Sequence, residues 1–556
     1  MAEHIAFNHG PKVLAEYVRM HTEKNPDKTV LIFYGKEMSW RNLDDWSNKL
    51  ANAFAGMGYK KGDRIAVYLQ SCPQCYVIYL AAFKLGLISV PIDPMHREFE
   101  LEYALNDSGA IFIVAMDQLY PIVKNVRSKT SIKDVIITSF HDFMPEKPSF
   151  PLHRMMLAEK QTFPNTYEYL DLLEKFPATT PEVEVELTDD AWILYTGGTC
   201  GYPKGCLHTH FTSLLGGAGV THLQFGATSD DIMITPVPHT HMYGLAMGIT
   251  ATFYIGWTII IMARWDTTAA LEAIHKYRPT KLAWPMPCIT SIIDHPDRDK
   301  YDLKSFTACN VAAFVIPYTV EIADRWKEIT GCQLDNYGYS IGTETFQYCA
   351  TGFRVPFNDP VAVGIGKISP GVQIKIVCLE SRKEVPLGEK GEIVIKSPGL
   401  LKYYINKPEE NKKDYVDGWL YSGDIGAIKD DGFIYFYGRY RDVIKVSGYT
   451  FAPREIEIIG MTNPAIDKIA VVGLPHPKKM EEPKAFITLK PGYKLTSEDL
   501  TQWFKDRVAA YKVPVVEIRD SLPISNKGEV LKRVLKDEEL AKIGEKSMPQ
   551  KDTVCL

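Results

Sequence analysis

Paired glycines, threonines and a lysine follow one another in ILYTGGTCGYPKG, residues 193–205. The first residues of this segment can complete a strand, whereas the glycines can bring backbone N–H groups together around an anion. Thr196 and Thr199 add hydroxyl donors, and Lys204 adds a mobile positive charge. The Gly-Lys-Ser/Thr ending of a P-loop nucleotidase is absent, because a glycine follows the lysine. The loop therefore predicts phosphate binding of another kind, with a plain glycine-rich turn as the alternative.

Three further segments place polar side chains beside glycines: YGYSIGTET (337–345), GWLYSGDIGAI (418–428) and GRYRDVIKVSGYTFAPREIE (438–457). Together with the phosphate loop, this ordered set resembles the adenylate-forming superfamily of acyl-CoA synthetases, peptide-synthetase adenylation domains and beetle luciferases. The resemblance extends over nearly the whole chain. It implies an AMP-forming acyl-CoA ligase, which joins a carboxylate to AMP and then transfers the acyl group to coenzyme A (CoA).

The resemblance also implies which residues handle ATP and Mg²⁺. Attack of a carboxylate on the α-phosphate brings two anions together, so cations and N–H donors must offset the charge that develops. Glu344 is the implied Mg²⁺ ligand and, with Thr196, an implied catalytic residue; Asp424 and Arg439 are the implied ribose contacts. The implied ATP-binding residues are Thr196, Gly197, Gly198, Thr199, Cys200, Lys204, Tyr337, Tyr339, Thr343, Glu344, Asp424 and Arg439.

The segment YGYSIGTET departs from the usual Tyr-Gly-x-Thr-Glu pattern of the superfamily. Four residues separate its Tyr-Gly pair from its Thr-Glu pair, and an ungapped register would put Ser340 and Ile341 in the Thr-Glu places. Because isoleucine cannot bind a metal ion, we prefer the gapped register with Glu344. Tyr337 and Tyr339 both remain candidates for stacking on adenine.

A second domain, which the superfamily rotates between its two half-reactions, is implied beyond a hinge at Arg441. The usual residue at the hinge is aspartate or lysine, so arginine keeps a long polar side chain there. Lys445 is an implied catalytic residue of this domain. Ser447 and Gly448 are implied to bind CoA, and the glycine leaves room for the pantetheine arm.

The lysine that the superfamily carries after Pro-x-Thr-x-x-Gly is missing from LPISNKGEVLKR, residues 522–533. Glu529 takes its place, and a glutamate facing the α-phosphate would repel it where a lysine attracts it. We predict that Lys527 is the catalytic substitute, because residues i and i+2 of an extended segment project to the same side. Lys532 is the second candidate, and slow adenylation without a substitute is the remaining alternative.

The carboxylate pocket implied by the resemblance has aromatic walls. Phe314 makes its floor bulkier than the Gly-Gly-Ala that is frequent in the superfamily. The lining segments offer no obvious charged partner for an amino group, which favours a small to medium apolar acid, cyclic or aromatic, over an amino acid or a long fatty acid. The implied lining residues are His241, Tyr243, Gly244, Trp284, Ala312, Ala313, Phe314 and Gly342.

The tripeptide His-Thr-His occurs twice, at residues 208–210 and 239–241. In a strand, residues i and i+2 share a face, so four histidines could form a zinc site. Because no cysteine or carboxylate pattern accompanies them, a zinc site is the weaker interpretation.

Helices and strands that alternate along the chain must position these residues. Up to about residue 330 the alternation predicts an α/β fold with mainly parallel sheets flanked by helices. Short strands and turns follow at about 360–438. We predict a large N-terminal domain over 1–438, which includes this β-rich part, and a small mobile α+β C-terminal domain over 441–556.

Composition excludes some classes of function. The 556 residues carry a formal net charge of −5 with acidic and basic residues interspersed, which argues against nucleic acid as a partner. Ten scattered cysteines fit a reducing compartment, and the N-terminus lacks the pattern of a signal peptide, so we expect a cytoplasmic location. Gly256 divides the uncharged segment 244–263, which therefore predicts a buried helix, turn and strand rather than an integral membrane span.

The expected partners are a small-molecule carboxylate, ATP and CoA, and a monomer and a homodimer both remain open. Two other functions compete with the ligase: a stand-alone adenylation enzyme that loads a carrier protein, and a non-catalytic nucleotide-binding regulator. We expect CoA as the acceptor, because the sequence shows no carrier-domain pattern after residue 540, although a carrier partner in trans remains open.

Overall fold

The computed structural model describes residues 5–196, 203–313, 318–359, 362–439, 443–446, 449–477, 479–524 and 530–544. Within these ranges, none of the helices combines the length and the apolar character needed to cross a bilayer. The helices are α1 Leu14–Lys24, α2 Trp40–Gly56, α3 Pro73–Leu85, α4 Glu98–Ser108, α5 Tyr120–Arg127, α6 Tyr169–Lys175, α7 His210–Ala218, α8 Met242–Gly244, α9 Ala251–Ile255, α10 Thr267–Tyr277, α11 Met286–Ile293, α12 Val320–Thr330, α13 Pro408–Asp414, α14 Pro453–Met461, α15 Ser497–Lys505 and α16 Lys532–Gly544.

Two sheets of mainly parallel strands form the first part of the chain. Their strands are β1 Thr29–Phe33, β2 Lys36–Ser39, β3 Arg64–Tyr68, β4 Ile88–Pro91, β5 Phe112–Met116, β6 Asp134–Thr138, β7 Tyr167–Glu168, β8 Asp190–Tyr195, β9 Gly205–Thr209, β10 Ile232–Thr235, β11 Thr258–Ile261, β12 Lys281–Pro285, β13 Ala308–Ala312 and β14 Leu334–Asn336. One sheet has the order β14-β13-β12-β10-β11-β1-β2 and the other β7-β6-β5-β3-β4-β8-β9. Antiparallel β2 and β9 close one edge of each sheet.

These strands consist mainly of apolar residues because both faces of each sheet are covered. Strand β11, Thr258–Ile261, is buried along its whole length, and so is β5. Helix α3 is buried on every side, which explains why its sequence lacks a polar stripe. The predicted alternation of helices and strands is confirmed.

A third, antiparallel sheet follows, as the short strands and turns of the sequence predict. Its strands are β15 Ala350–Thr351, β16 Gly364–Ile368, β17 Gln373–Val377, β18 Gly391–Lys396, β19 Tyr415–Val416, β20 Trp419–Ile428 and β21 Phe433–Arg439. Its order is β15-β16-β21-β20-β18-β17, with β19 paired to β20.

A separate small sheet and the helices α14–α16 form the last part of the chain. The strands are β22 Ile444–Val446, β23 Tyr449–Phe451, β24 Ile466–His476, β25 Met480–Leu489 and β26 Val515–Ile518. The pairs are antiparallel except for β25 and β26. The predicted α/β class, with a β-rich part and a small α+β unit, is therefore confirmed, whereas the boundary at 438–441 stays a prediction.

The uncharged segment 244–263 folds as the sequence predicts. A π-helical turn over Leu245–Thr250 leads into α9, which Gly256 terminates in a left-handed conformation with φ 80°. Strand β11 follows and lies in the interior of its sheet, between β10 and β1. Burial within the protein, and not contact with lipid, accounts for the absence of charge.

Candidate active site

The hairpin of β8 and β9 closes the base of the phosphate loop. The Thr196 N–H donates to the Lys204 carbonyl at 3.0 Å, and the Lys204 N–H donates to Thr196 Oγ1 at 3.2 Å. Thr196 and Lys204 therefore face each other where the loop leaves the sheet. The predicted phosphate contacts Gly197, Gly198, Thr199 and Cys200 lie outside the described residues.

The Lys204 ammonium lies between a carboxylate and an aromatic ring. Its Nζ is 3.1 Å from Asp414 Oδ2 and 3.8 Å from the centre of the Tyr404 ring. The Tyr404 hydroxyl donates to Glu344 Oε1 at 3.2 Å, so one tyrosine contacts both the lysine and the glutamate. The phosphate-loop cation and the predicted Mg²⁺ ligand therefore belong to one contact network.

Two backbone contacts position Glu344. His208 Nε2 on β9 donates to the Thr343 carbonyl at 2.7 Å, and the Leu401 N–H donates to the Glu344 carbonyl at 2.8 Å. The next turn holds Phe346 at φ 48°, in the left-handed region that bulky residues rarely adopt. The strained turn and the contact with buried His208 thus fix the backbone that carries the Glu344 carboxylate.

Burial raises the pKa of Glu344, while the charges of Arg439 and Lys204 lower it. An ionised carboxylate in this position gains from an added cation. Mg²⁺ is commonly held by one or two carboxylates with phosphate oxygens and water, so a single glutamate beside a phosphate loop fits the ion. In the described part of the chain, no cluster of three or more histidine, cysteine or acidic side chains offers a closed metal site.

The four histidines of the His-Thr-His segments do not converge on a zinc site. His208 contacts the Thr343 carbonyl, and the His210 ring packs on Phe83 with centroids 4.8 Å apart. His239 lies 3.3 Å from the Tyr76 hydroxyl, while His241 is exposed. Each histidine thus has a separate environment.

Asp424 and Arg439, the predicted ribose contacts, are paired across β20 and β21. Arg439 Nε lies 3.0 Å from Asp424 Oδ1, and the Tyr339 hydroxyl donates to Asp424 Oδ2 at 2.9 Å. Only 2% of the Asp424 side chain is exposed, so these contacts hold the carboxylate in one orientation. Such an orientation suits acceptance of hydrogen bonds from two adjacent hydroxyl groups.

The two tyrosines of YGYSIGTET lie in different surroundings. Tyr339 contacts Asp424 and packs on Phe436 with ring centroids 5.1 Å apart. Tyr337 meets Tyr243 edge to face, with centroids 5.0 Å apart and an interplanar angle of 87°. Tyr339 therefore lies beside the predicted ribose contacts, and Tyr337 borders the predicted acyl pocket.

Helix α8 carries the predicted pocket residues His241, Tyr243 and Gly244. His241 caps its start, because Nδ1 accepts the Tyr243 N–H at 3.2 Å. At Gly244 a Cβ atom would collide with the Pro238 carbonyl oxygen, so only glycine permits this tight turn. The turn presents Tyr243 to Tyr337.

The remaining predicted pocket residues are only partly brought together. Ala312 and Ala313 are buried at the end of β13, and Gly342 has φ 61° in the turn before Glu344. Trp284 lies in the sheet core. Its ring packs on that of Trp265 with centroids 4.9 Å apart, and its indole N–H donates to the Ile234 carbonyl at 3.0 Å. Phe314 lies outside the described residues.

Most predicted residues of the C-terminal unit are not described. Arg441, Ser447, Gly448 and Lys527 lie outside the described residues, and for Lys445 only the backbone, paired with Thr450, is described. Lys532 forms an ion pair with Glu457, with Nζ 2.7 Å from Oε1.

Motif reasoning missed Asp414, Tyr404 and His208, which contact residues of the predicted site. Asp414 and Tyr404 reach it from segments about two hundred residues beyond Lys204, and no local pattern marks them. For His208 no alternation was available as a signal, because β9 is buried on both faces from Gly205 to His208.

Comparisons with known proteins show the family of the chain. The profile of the AMP-binding enzyme family matches residues 18–405, and that of the AMP-binding enzyme C-terminal domain matches residues 455–529. A long-chain-fatty-acid–CoA ligase of Bacillus subtilis (strain 168) is 32% identical over 544 residues, covering 95% of each chain. A 4-coumarate–CoA ligase of Petroselinum crispum is 28% identical, covering 97% of this chain and 95% of its own.

Solved structures share the fold. A crystal structure of the anthranilate CoA ligase AuaEII with anthranoyl-AMP superposes with a TM-score of 0.83 at 23% identity, over 96% of this chain and 98% of the other. At this identity the superposition establishes the fold alone.

Proposed function

Because the chain belongs to the AMP-binding enzyme family and is an AMP-forming acyl-CoA synthetase, we propose that it activates a small to medium apolar carboxylate, cyclic or aromatic. ATP and CoA are its co-substrates, with Mg²⁺ as the metal ion. We also propose a cytoplasmic location, since the cysteines in the described residues are free thiols.

One observation carries the proposed assignment of the site. The hairpin with Lys204, the turn with Glu344 and the β20–β21 pair with Asp424 and Arg439 converge, so that the Glu344 carboxyl experiences the charges of both cations. Adenylation needs this combination, because positive charge must offset the negative charge that develops at phosphorus.

The proposed reaction has two steps. A substrate carboxylate oxygen attacks the α-phosphorus, an acyl–oxygen–phosphorus bond forms, and the bond to pyrophosphate breaks. Lys204 and Arg439 hold phosphate and ribose, and Glu344 would hold Mg²⁺, which would supply further charge neutralisation. The CoA sulfur then attacks the acyl carbon, the acyl carbon–oxygen bond breaks, AMP leaves with the bridging oxygen, and the thiol proton passes to solvent.

The proposed acid class rests on the pocket walls. Tyr243 and Tyr337 meet edge to face, and both side chains are buried. Burial raises the pKa of both tyrosines, so they remain neutral and suit an apolar substrate. The curated relatives act on both fatty and aryl acids, which leaves the choice of acid to experiment.

The test is AMP formation from ATP, Mg²⁺, CoA and a panel of aryl, cyclic and C4–C16 acids. We expect AMP release that requires both an acid and CoA, with the best kcat/KM for C4–C8 or aryl acids. AMP release that requires a carrier protein instead of CoA supports a carrier-loading enzyme. ATP binding without acid-dependent AMP formation supports a regulator. A clear preference for C16 acids contradicts the proposed substrate class.

A further inference from the structure

Asp414 is a carboxylate outside the nucleotide-binding set, yet it forms an ion pair with the phosphate-loop lysine. It is the last residue of α13, and its Oδ2 lies 3.1 Å from Lys204 Nζ. The two side chains are 23% and 25% exposed, so the pair is neither freely solvated nor sealed from water. The ammonium group is therefore in contact with solvent and accessible to an anion.

The carboxylate of Asp414 opposes binding of ATP in two ways. It neutralises the charge of Lys204. Because the lysine ammonium is a single compact charge, it cannot pair fully with the carboxylate and with a phosphate at the same time. It also places a negative charge beside the position that the triphosphate must take, and like charges at such distances repel. Tyr404, whose ring lies 3.8 Å from Nζ, keeps the ammonium in this position without competing for its charge.

The surroundings of Asp414 are rich in carboxylates. Burial raises the pKa of Glu392, and the charges of Asp414 and Asp424 raise it further, while Arg382 lowers it. The Glu392 side chain accepts the Gly423 N–H at 2.9 Å, directly before Asp424. Lys204 partly neutralises this group of carboxylates. The group loses that neutralising charge when the Lys204 side chain turns to a phosphate.

We propose that Asp414 is a positioning residue that holds Lys204 in the nucleotide-free enzyme and is displaced from it by the ATP triphosphate. The inference rests on the proposed function, because it assumes that Lys204 contacts ATP. The apparent affinity for ATP is then the intrinsic affinity reduced by the fraction of enzyme in which Lys204 is free.

Direct titration calorimetry with ATP, without acid substrate, measures the effect. Partly exposed ion pairs are weak, so we expect Asp414→Asn to lower the Kd for ATP about two- to fivefold. Inorganic tripolyphosphate should show the same gain and adenosine none. In the full reaction, the KM for ATP falls while kcat is retained. Asp414→Glu keeps the carboxylate and should restore the parental affinity.

The matched control is Glu409→Gln on the same helix. Glu409 pairs with Lys412 at 3.1 Å, and both side chains are largely exposed. This variant should bind ATP as the parent does.

A double-mutant cycle separates a contact with Lys204 from a general charge effect. In a Lys204→Met background, Asp414→Asn should give a smaller gain in affinity for ATP, because only the direct repulsion of the triphosphate is then removed. Unchanged or weaker ATP binding by Asp414→Asn overturns the inference, and so does an equal gain in the Lys204→Met background. A parent enzyme that binds no ATP overturns the proposed function as well, which distinguishes the two failures.

Discussion

Glu344 is buried, and two positive charges partly offset the effect of burial on its pKa. Its ionisation should therefore limit adenylation at low pH. Burial raises the pKa of its carboxyl above the usual 4.5, and Arg439 and Lys204 lower it. Since only the ionised form binds Mg²⁺, exchange of pyrophosphate into ATP should rise with pH through a pKa above the usual value. Added Mg²⁺ favours the ionised form and should move this limb to lower pH.

Glu344→Gln should reduce carboxylate-dependent pyrophosphate–ATP exchange by about tenfold or more, because each ~1.4 kcal/mol is a factor of ten in rate. Ser340→Ala is the matched control, since the ungapped register would put the Thr-Glu pair at Ser340 and Ile341. Full exchange in Glu344→Gln with a loss in Ser340→Ala would show that the gapped register is wrong.

The lysine that bridges carboxylate and α-phosphate is a second question at the residue scale. Lys532 is held by Glu457, which also accepts the Val471 N–H at 2.8 Å. We therefore expect Lys527→Ala to lower adenylation about tenfold or more while thioester formation from supplied acyl-AMP is spared. Lys532→Ala should have a smaller effect on adenylation. Parental adenylation rates in both variants would mean that neither lysine acts in this step.

Glu529→Lys is the companion variant, since it restores the superfamily's usual residue. Adenylation should be retained or faster in it. A loss of adenylation would indicate that Glu529 itself has a role in this step.

At the residue scale the sequence predicts the members of the site better than their contacts. Thr196, Glu344 and Asp424 stand in motifs whose chemistry constrains residue type. The ion pair of Lys204 with Asp414 joins residues 210 positions apart, and its formation depends on how α13 packs. Sequence periodicity carries no information on such a pairing.

At the scale of elements, the tight turn of α8 makes Gly244 a sensitive position. A Cβ atom would meet the Pro238 carbonyl, so Gly244→Ala must shift the turn that carries Tyr243. Such overpacking costs about 1–3 kcal/mol. We expect a several-fold higher KM for the acid and a lower melting temperature, with the KM for ATP retained.

Met242→Leu is the control for Gly244→Ala, because it conserves volume in the same turn. Its KM for the acid should match that of the parent. If Gly244→Ala also leaves this KM unchanged, α8 does not form the wall of the acyl pocket.

Element type was predictable where apolar periodicity was strong, as in α2 and the strands of the parallel sheets. The π-helical segments Gly219–Gln224 and Leu245–Thr250 were not predictable. Their register depends on packing between neighbouring helices, which a local sequence pattern does not encode. Trp284 is similar: the resemblance implies a place in the acyl-pocket lining, but packing brings its ring into the sheet core.

At the scale of the whole molecule, buried histidines should make stability depend on pH. Burial lowers the pKa of His21, His208 and His210 to about 4. Below the usual value of 6.5 the unfolded chain therefore binds more protons than the folded one. The free energy of unfolding should decrease as the pH falls from 6.5 to about 4, by up to ~1.4 kcal/mol per pH unit for each group.

His210→Phe tests this linkage, because neither nitrogen of the buried His210 ring has a hydrogen-bond partner among the described residues. Denaturant unfolding at several pH values should give a smaller decrease for the variant than for the parent. His141→Phe, at an exposed position, should leave the decrease unchanged. Equal pH dependence in His210→Phe and the parent would exclude a contribution of His210.

The central claim is that a substrate carboxylate attacks the α-phosphorus of ATP and that CoA then takes the acyl group. The most direct test uses an acid with ¹⁸O in both carboxylate oxygens, together with ATP, Mg²⁺ and CoA, and mass spectrometry of the products. One ¹⁸O atom should appear in AMP and one in the acyl-CoA, with none in pyrophosphate. Unlabelled AMP, or label in ADP or inorganic phosphate, would contradict the account.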